Sequence, residues 1–146
     1  VYPVITMKEY THGGSREALL RTHPAEERNA LIQKLSTECH VGPHTPPAFI
    51  CHTFMDDCVP VENSLLFAKA MAAQNRVFEM HIFSKGHHGM SLSDQSVFCD
   101  MSLLDGDFSA WFQMSVDWLY RLFGISCILD REPENLDPAQ RAGRID

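Results

Sequence analysis

The chain has 146 residues, with twelve basic against nineteen acidic side chains and a formal charge of −7. That length suits one domain with a sizeable core, and 45% hydrophobic with 21% charged residues is an ordinary globular composition. The acidic balance argues against a nucleic-acid surface or a polybasic membrane patch, both of which need clustered Lys and Arg. No run of about 18 apolar residues occurs, so no transmembrane helix is expected. The chain begins at Val1 without a recognisable signal peptide, which favours a cytoplasmic location, although any targeting segment would lie upstream. Five cysteines, an odd number with no Cys-x-x-Cys, argue against a disulfide framework or zinc knuckle. Cys51 sits in an apolar run and reads as a small buried hydrophobe.

In chain order, Val1 to Met7 is apolar and β-branched and predicts a strand, broken by Thr11-His-Gly-Gly14. Ser15 to Leu20 predicts a short helix with Ser15 as its cap. A longer helix follows, with Pro24 in its first turn, Glu26 and Glu27 near its positive end, and Leu31 and Leu35 on one face. Cys39 to Pro47 is a loop. Ala48 to His52 predicts a buried strand, continuously apolar as parallel sheets require. Pro60 and Glu62 open a helix reaching about Gln74, its apolar stripe drawn from Leu65, Ala68 and Ala72, with Leu66 and Met71 beside it. Val77 to Phe83 is the next strand, with Phe78, Met80 and Ile82 on one face.

Ser84 to Gly106 predicts a loop, disordered near Ser91 to Gln95, where little offsets the entropy of ordering. Phe108 to Phe123 predicts an amphipathic helix on the period of Trp111, Ser115, Trp118 and Leu122, with Gly124 as its stop. Residues 129–146 are charged and Pro-bearing and read as a mobile tail outside the domain of residues 1–128. Strands alternating with helices predict an α/β fold with parallel strands and flanking helices. In such sheets functional residues collect on loops past the carboxyl ends of strands.

Two loops satisfy that condition. Asp56 follows the strand ending at His52 by four residues, and His88 follows the strand ending at Phe83 by five. If these strands are parallel neighbours, with the intervening helix as crossover, both loops leave the same sheet edge. A carboxylate beside an imidazole fixes its tautomer and stabilises the imidazolium. The blander readings are a solvated turn or helix cap for Asp56 and a Gly-flanked surface histidine for His88.

Thr45 to Ser64, with His52-Thr-Phe-Met-Asp-Asp-Cys-Val-Pro60 at its centre, resembles the acid-loop region of α/β-hydrolase esterases. It is most similar to the bacterial acetylxylan-esterase-like and acetyl-esterase-like group. Phe78 to Gly89 resembles that group's last strand and its Gly-x-His-Gly loop. The resemblance spans most of residues 1 to about 125 and implies the C-terminal half of an α/β-hydrolase fold, with residues of about 11–44 as cap-like helices and loop. It implies Asp56 as catalytic acid and His88 as base, with Asp57 as alternative acid if the turn differs by one residue and His87 adjacent to the base. It implies a serine carboxylic-ester hydrolase acting on small acyl esters, including acetylated carbohydrate, with no cofactor and no metal. Prolyl-oligopeptidase-like peptidases have similar C-terminal loops and form the sister reading.

No Gly-x-Ser-x-Gly elbow occurs in the sequence. The nucleophile and the oxyanion loop are therefore expected upstream of Val1, in the N-terminal half of the domain, and this chain alone is expected to be inert. Thr11-His-Gly-Gly-Ser15 imitates an oxyanion motif but reads as a turn, and Ser15 lacks the final Gly of an elbow. Two further readings compete: a non-catalytic hydrolase-like binding module, and a metal site from Cys51, His52, Cys58 and His81, whose spacing matches no ligand signature.

Overall fold

In a computed structural model, residues 1–96 and 105–124 are described. The tail expected at 129–146 lies outside them, as do Cys99 and Cys127. Helix α1 spans Gly13–Leu20, α2 Ala25–Leu35, and a 3₁₀ turn Thr37–His40. Strand β1 is Ala48–Thr53, α3 Glu62–Ala73, β2 Phe78–Phe83 and α4 Gly106–Phe123. β1 and β2 pair in parallel, from Ala48 opposite Phe78 to Thr53 opposite Phe83. Their carboxyl ends are therefore level, and α3 supplies the crossover that parallel pairing needs. Helices flank this open parallel sheet, the α/β architecture read from the sequence. No helix among the described residues is long and apolar enough to cross a membrane.

The expected strand at Val1–Met7 does not form as a ladder strand. Tyr2 N–H donates to Cys51 O at 2.6 Å, but Tyr2 has a left-handed φ of 36° and Pro3 has no N–H to offer. Further along, the amides of Ile5 and Thr6 donate instead to Asn63 Oδ1 at 2.9 and 3.0 Å. Asn63 Nδ2 donates to Tyr10 O at 2.7 Å and Pro60 O at 3.0 Å. One amide side chain thus does the work of a strand partner.

This substitution also corrects the inward stripe of α3. Its buried residues are Asn63, Ser64, Ala68 and Met71, whereas Leu65 is 45% exposed. Apolar periodicity misses that face because two of its four residues are polar and hydrogen-bonded. α1 starts two residues before Ser15: the His12 imidazole caps it by accepting the Ser15 N–H at 3.2 Å. In α2, Ile32 is the buried residue, packing with Met7 and Leu20, while Leu31 and Leu35 lie partly buried beside them.

α4 is capped by the Asp105 carboxylate, which accepts from Asp107 N and Phe108 N, and ends at Gly124 with φ 63°. Its Phe108 is fully buried with Cys51 and Met90, while Tyr2, Phe49, Phe83 and Trp111 pack around them. The Ser91–Gln95 segment, expected to be disordered, is tied down. Ser91 N–H donates to Tyr2 Oη at 2.9 Å, and Trp111 Nε1–H donates to Ser91 O at 2.8 Å.

Asn63→Ala removes the acceptor for two buried amides. The expected loss is about 2–4 kcal/mol, measured by urea denaturation of the full-length protein.

Candidate active site

Asp56 lies three residues beyond β1, where a turn folds it back under its own loop. Its side chain has no solvent exposure. Oδ1 accepts from Cys58 N at 2.9 Å and Val59 N at 2.8 Å, an Asx turn that fixes the carboxylate plane. Oδ2 receives His88 Nδ1 at 2.8 Å and lies 3.3 Å from His52 Nε2. Burial pushes the Asp56 pKa up and is the largest single influence. The hydrogen bonds from Val59 N–H, His88 and Cys58 N–H outweigh it together, so the carboxyl sits below its ordinary value of 3.8.

The base loop is anchored to the same strand ends. Phe54 N–H donates to Phe83 O at 2.7 Å, and Thr53 Oγ1–H donates to Gly86 O at 2.8 Å. Gly86 has φ 120°, and a Cβ there would lie 2.4 Å from Met90 Sδ and 2.9 Å from Thr53 Cγ2. Only glycine fits both the backbone and the space. His88 emerges from this anchor with its side chain one-third exposed (33%). The Tyr2 ring meets it edge-on, with centroids 4.8 Å apart, and also stacks on Phe108. Because the carboxylate can only accept, His88 Nδ1 carries the proton, which leaves the Nε2 lone pair for acid–base work.

The neighbouring candidates occupy other positions. Asp57 Oδ1 accepts the His88 backbone N–H at 3.4 Å, whereas the His88 imidazole is bonded to Asp56. His87 is exposed and its Nδ1 meets His88 O at 2.6 Å. Ser15 Oγ does lie 2.9 Å from a histidine nitrogen, but that nitrogen is His12 Nδ1, the cap of its own helix. A cleft of about 520 Å³ opens between α1 and α2, lined by Arg16, Leu20, Arg28 and Ile32 among others, and no residue of the acid or base loop lines it.

The four residues weighed as metal ligands are not gathered. Register puts His81 opposite Cys51, so His52 and His81 lie on opposite faces. His81 Nε2 pairs with Glu79 Oε1 at 2.9 Å, and burial pushes the Cys51 thiol up to about 12. Sequence reasoning placed His52 at a strand end and weighed it only as a metal ligand, whereas the structure brings it to Asp56. Its position, four residues before an Asp at a strand end, was the only signal available.

An imidazole paired to a buried carboxylate across the carboxyl ends of two parallel strands defines the C-terminal part of an α/β-hydrolase. Residues 3–113 match the prolyl oligopeptidase family, and the chain belongs to that family. Over 101 residues, 69% of the chain, it is 40% identical to endo-1,4-beta-xylanase B of Butyrivibrio fibrisolvens. Among solved structures it is similar to an acetyl ester-xyloside bifunctional hydrolase from Caldicellulosiruptor lactoaceticus, with 37% identity, a TM-score of 0.69 and 85% of this chain covered. It is also similar to a sugar hydrolase from Lactococcus lactis, with 31% identity, a TM-score of 0.61 and 64% of this chain covered. The chain spans 15% of the length of the xylanase and 41% and 37% of the two solved chains.

Two outcomes follow from this geometry. Gly86→Ala is expected to destabilise the full-length protein by about 1–3 kcal/mol, read as a lower urea midpoint. Because the Asp56 pKa is depressed in the fold, its contribution to stability is fully present above pH 3.8. It is lost as pH falls through the lower native value. Melting temperatures of wild type and Asp56→Asn are therefore expected to differ at neutral pH and to converge in acid.

Proposed function

We propose that this chain carries the acid and base of a serine carboxylic-ester hydrolase acting on small acyl esters, with acetylated sugars or xylan as the substrate class. The observation that carries the reading is the 2.8 Å contact between buried Asp56 and partly exposed His88. Likeness to an acetyl ester-xyloside hydrolase supports the substrate class. The serine and the oxyanion donors belong to the chain preceding Val1. The absence of an elbow motif and the 41% span of the similar hydrolase support this. α1 and α2, within residues 11–44, act as a cap.

In the complete enzyme, His88 Nε2 takes the proton of the serine hydroxyl as its oxygen attacks the ester carbonyl. Asp56 stays ionised and stabilises the imidazolium. His88 then gives the proton to the departing alcohol, and water repeats the sequence on the acyl-enzyme. Without serine and oxyanion donors, Asp56 and His88 have no nucleophile to activate, so the isolated chain is inert. Membership of the prolyl oligopeptidase family supports a second reading, a serine peptidase using the same pair.

In the full-length protein, His88→Ala is expected to lower p-nitrophenyl acetate turnover at least ~10³-fold, and Asp56→Asn by roughly 10²–10⁴-fold. Full activity in either variant rejects that residue's role. Cleavage of a prolyl anilide in preference to the acetate ester selects the peptidase.

A further inference from the structure

The site contains a second histidine that the acid–base scheme does not use. His52 has no solvent exposure. Its Nε2 lies 2.9 Å from Val59 O, and its Nδ1 lies 2.7 Å from Ser64 Oγ. A carbonyl only accepts, so the proton is on Nε2, and Nδ1 accepts from the Ser64 hydroxyl. Ser64 stands in the first turn of α3 and is fully buried.

Val59 links this histidine to the acid. Its carbonyl accepts from His52 while its N–H donates to Asp56 Oδ1 at 2.8 Å. The same Nε2 stands 3.3 Å from Asp56 Oδ2, the oxygen that holds His88. Ser64, His52, Val59 and Asp56 thus form one closed chain from helix α3 to the acid. The titratable groups facing His52 are Asp56 and His88, with the amino terminus at Val1 beyond them.

Protonation state decides what such a brace does. Burial, the largest influence, pushes the His52 pKa down against the opposing effects of Val59 O and Asp56. A neutral imidazole directs a polar N–H toward the acid loop without adding a charge. Lys or Arg in that place would compensate Asp56 and compete with His88 for it.

We propose that His52, its tautomer set by Val59 O and its ring held by Ser64, is a positioning residue that holds the Val59–Asp56 turn so that Oδ2 stays against His88. This rests on the reading of Asp56 and His88 as acid and base. His52→Phe removes both ring nitrogens, Ser64→Ala removes the hydroxyl that holds Nδ1, and His52→Gln restores an N–H near the Nε2 position.

In the full-length protein, His52→Phe is expected to lower kcat roughly 10-fold to 100-fold with little change in KM. The His88 Nδ1–H proton, followed by NMR, moves upfield and exchanges faster with solvent because Asp56 holds it less closely. Ser64→Ala changes that signal in the same direction by less, and His52→Gln returns it toward wild type. A lower melting temperature with the His88 Nδ1–H signal and kcat unchanged overturns the proposal and leaves His52 a core residue only. Should His52→Phe fail to fold, an unchanged His88 Nδ1–H signal in Ser64→Ala overturns it equally. Activity retained in His88→Ala sinks the acid–base reading instead, while the Nδ1–H signal of the His52 variants still reports whether His52 positions that ring.

Discussion

The buried carboxylate of Asp56 is the constraint around which the rest of the structure is arranged. An ionised carboxyl with no solvent exposure needs donors on both oxygens. Two backbone amides satisfy Oδ1, and an imidazole from a loop more than thirty residues away satisfies Oδ2. Nothing flexible could deliver that second donor reliably. The level ends of β1 and β2 deliver it, because in-register parallel pairing carries both loops off the sheet at one edge. The Thr53–Gly86 bond and the glycine-only conformation at Gly86 then set the direction in which the base loop leaves.

Polar side chains do much of what apolar packing does elsewhere in the fold. Asn63 and Ser64 are adjacent on α3, both fully buried, and serve opposite partners. Asn63 holds the extended N-terminal segment, and Ser64 holds His52. A buried polar pair is stabilising only when every member is satisfied, and here both the amide and the hydroxyl bond to defined groups. The first turn of α3 is therefore a hub between the N-terminal segment and the acid loop.

What the sequence disclosed follows the strength of its local signals. β1 and β2 were legible from their apolar runs, α3 from Pro60 and Glu62 at its start, and α4 from its helical period and the Gly124 stop. The pairing of Asp56 with His88 was foreseeable because both follow strands by short, similar intervals. Val1–Met7 looked like a strand because its composition is β-prone, yet Tyr2 φ and Pro3 interrupt the ladder. His52 was weighed only as a metal ligand and not as a neighbour of Asp56, because a histidine inside an apolar run carries no periodic mark of its partners. The inward face of α3 was misread for the same reason: hydrogen bonds to distant backbone leave no spacing in the local sequence.

Tyr2 gives the architecture a consequence for dividing the molecule. Its amide is bonded to β1, its hydroxyl to Ser91, and its ring lies against His88. Tyr2 thus forms part of the seat of His88, far along the chain. In a two-piece complementation system, a break placed after Tyr2 would put His88 and its seat on different polypeptides. A break before it keeps them on one piece.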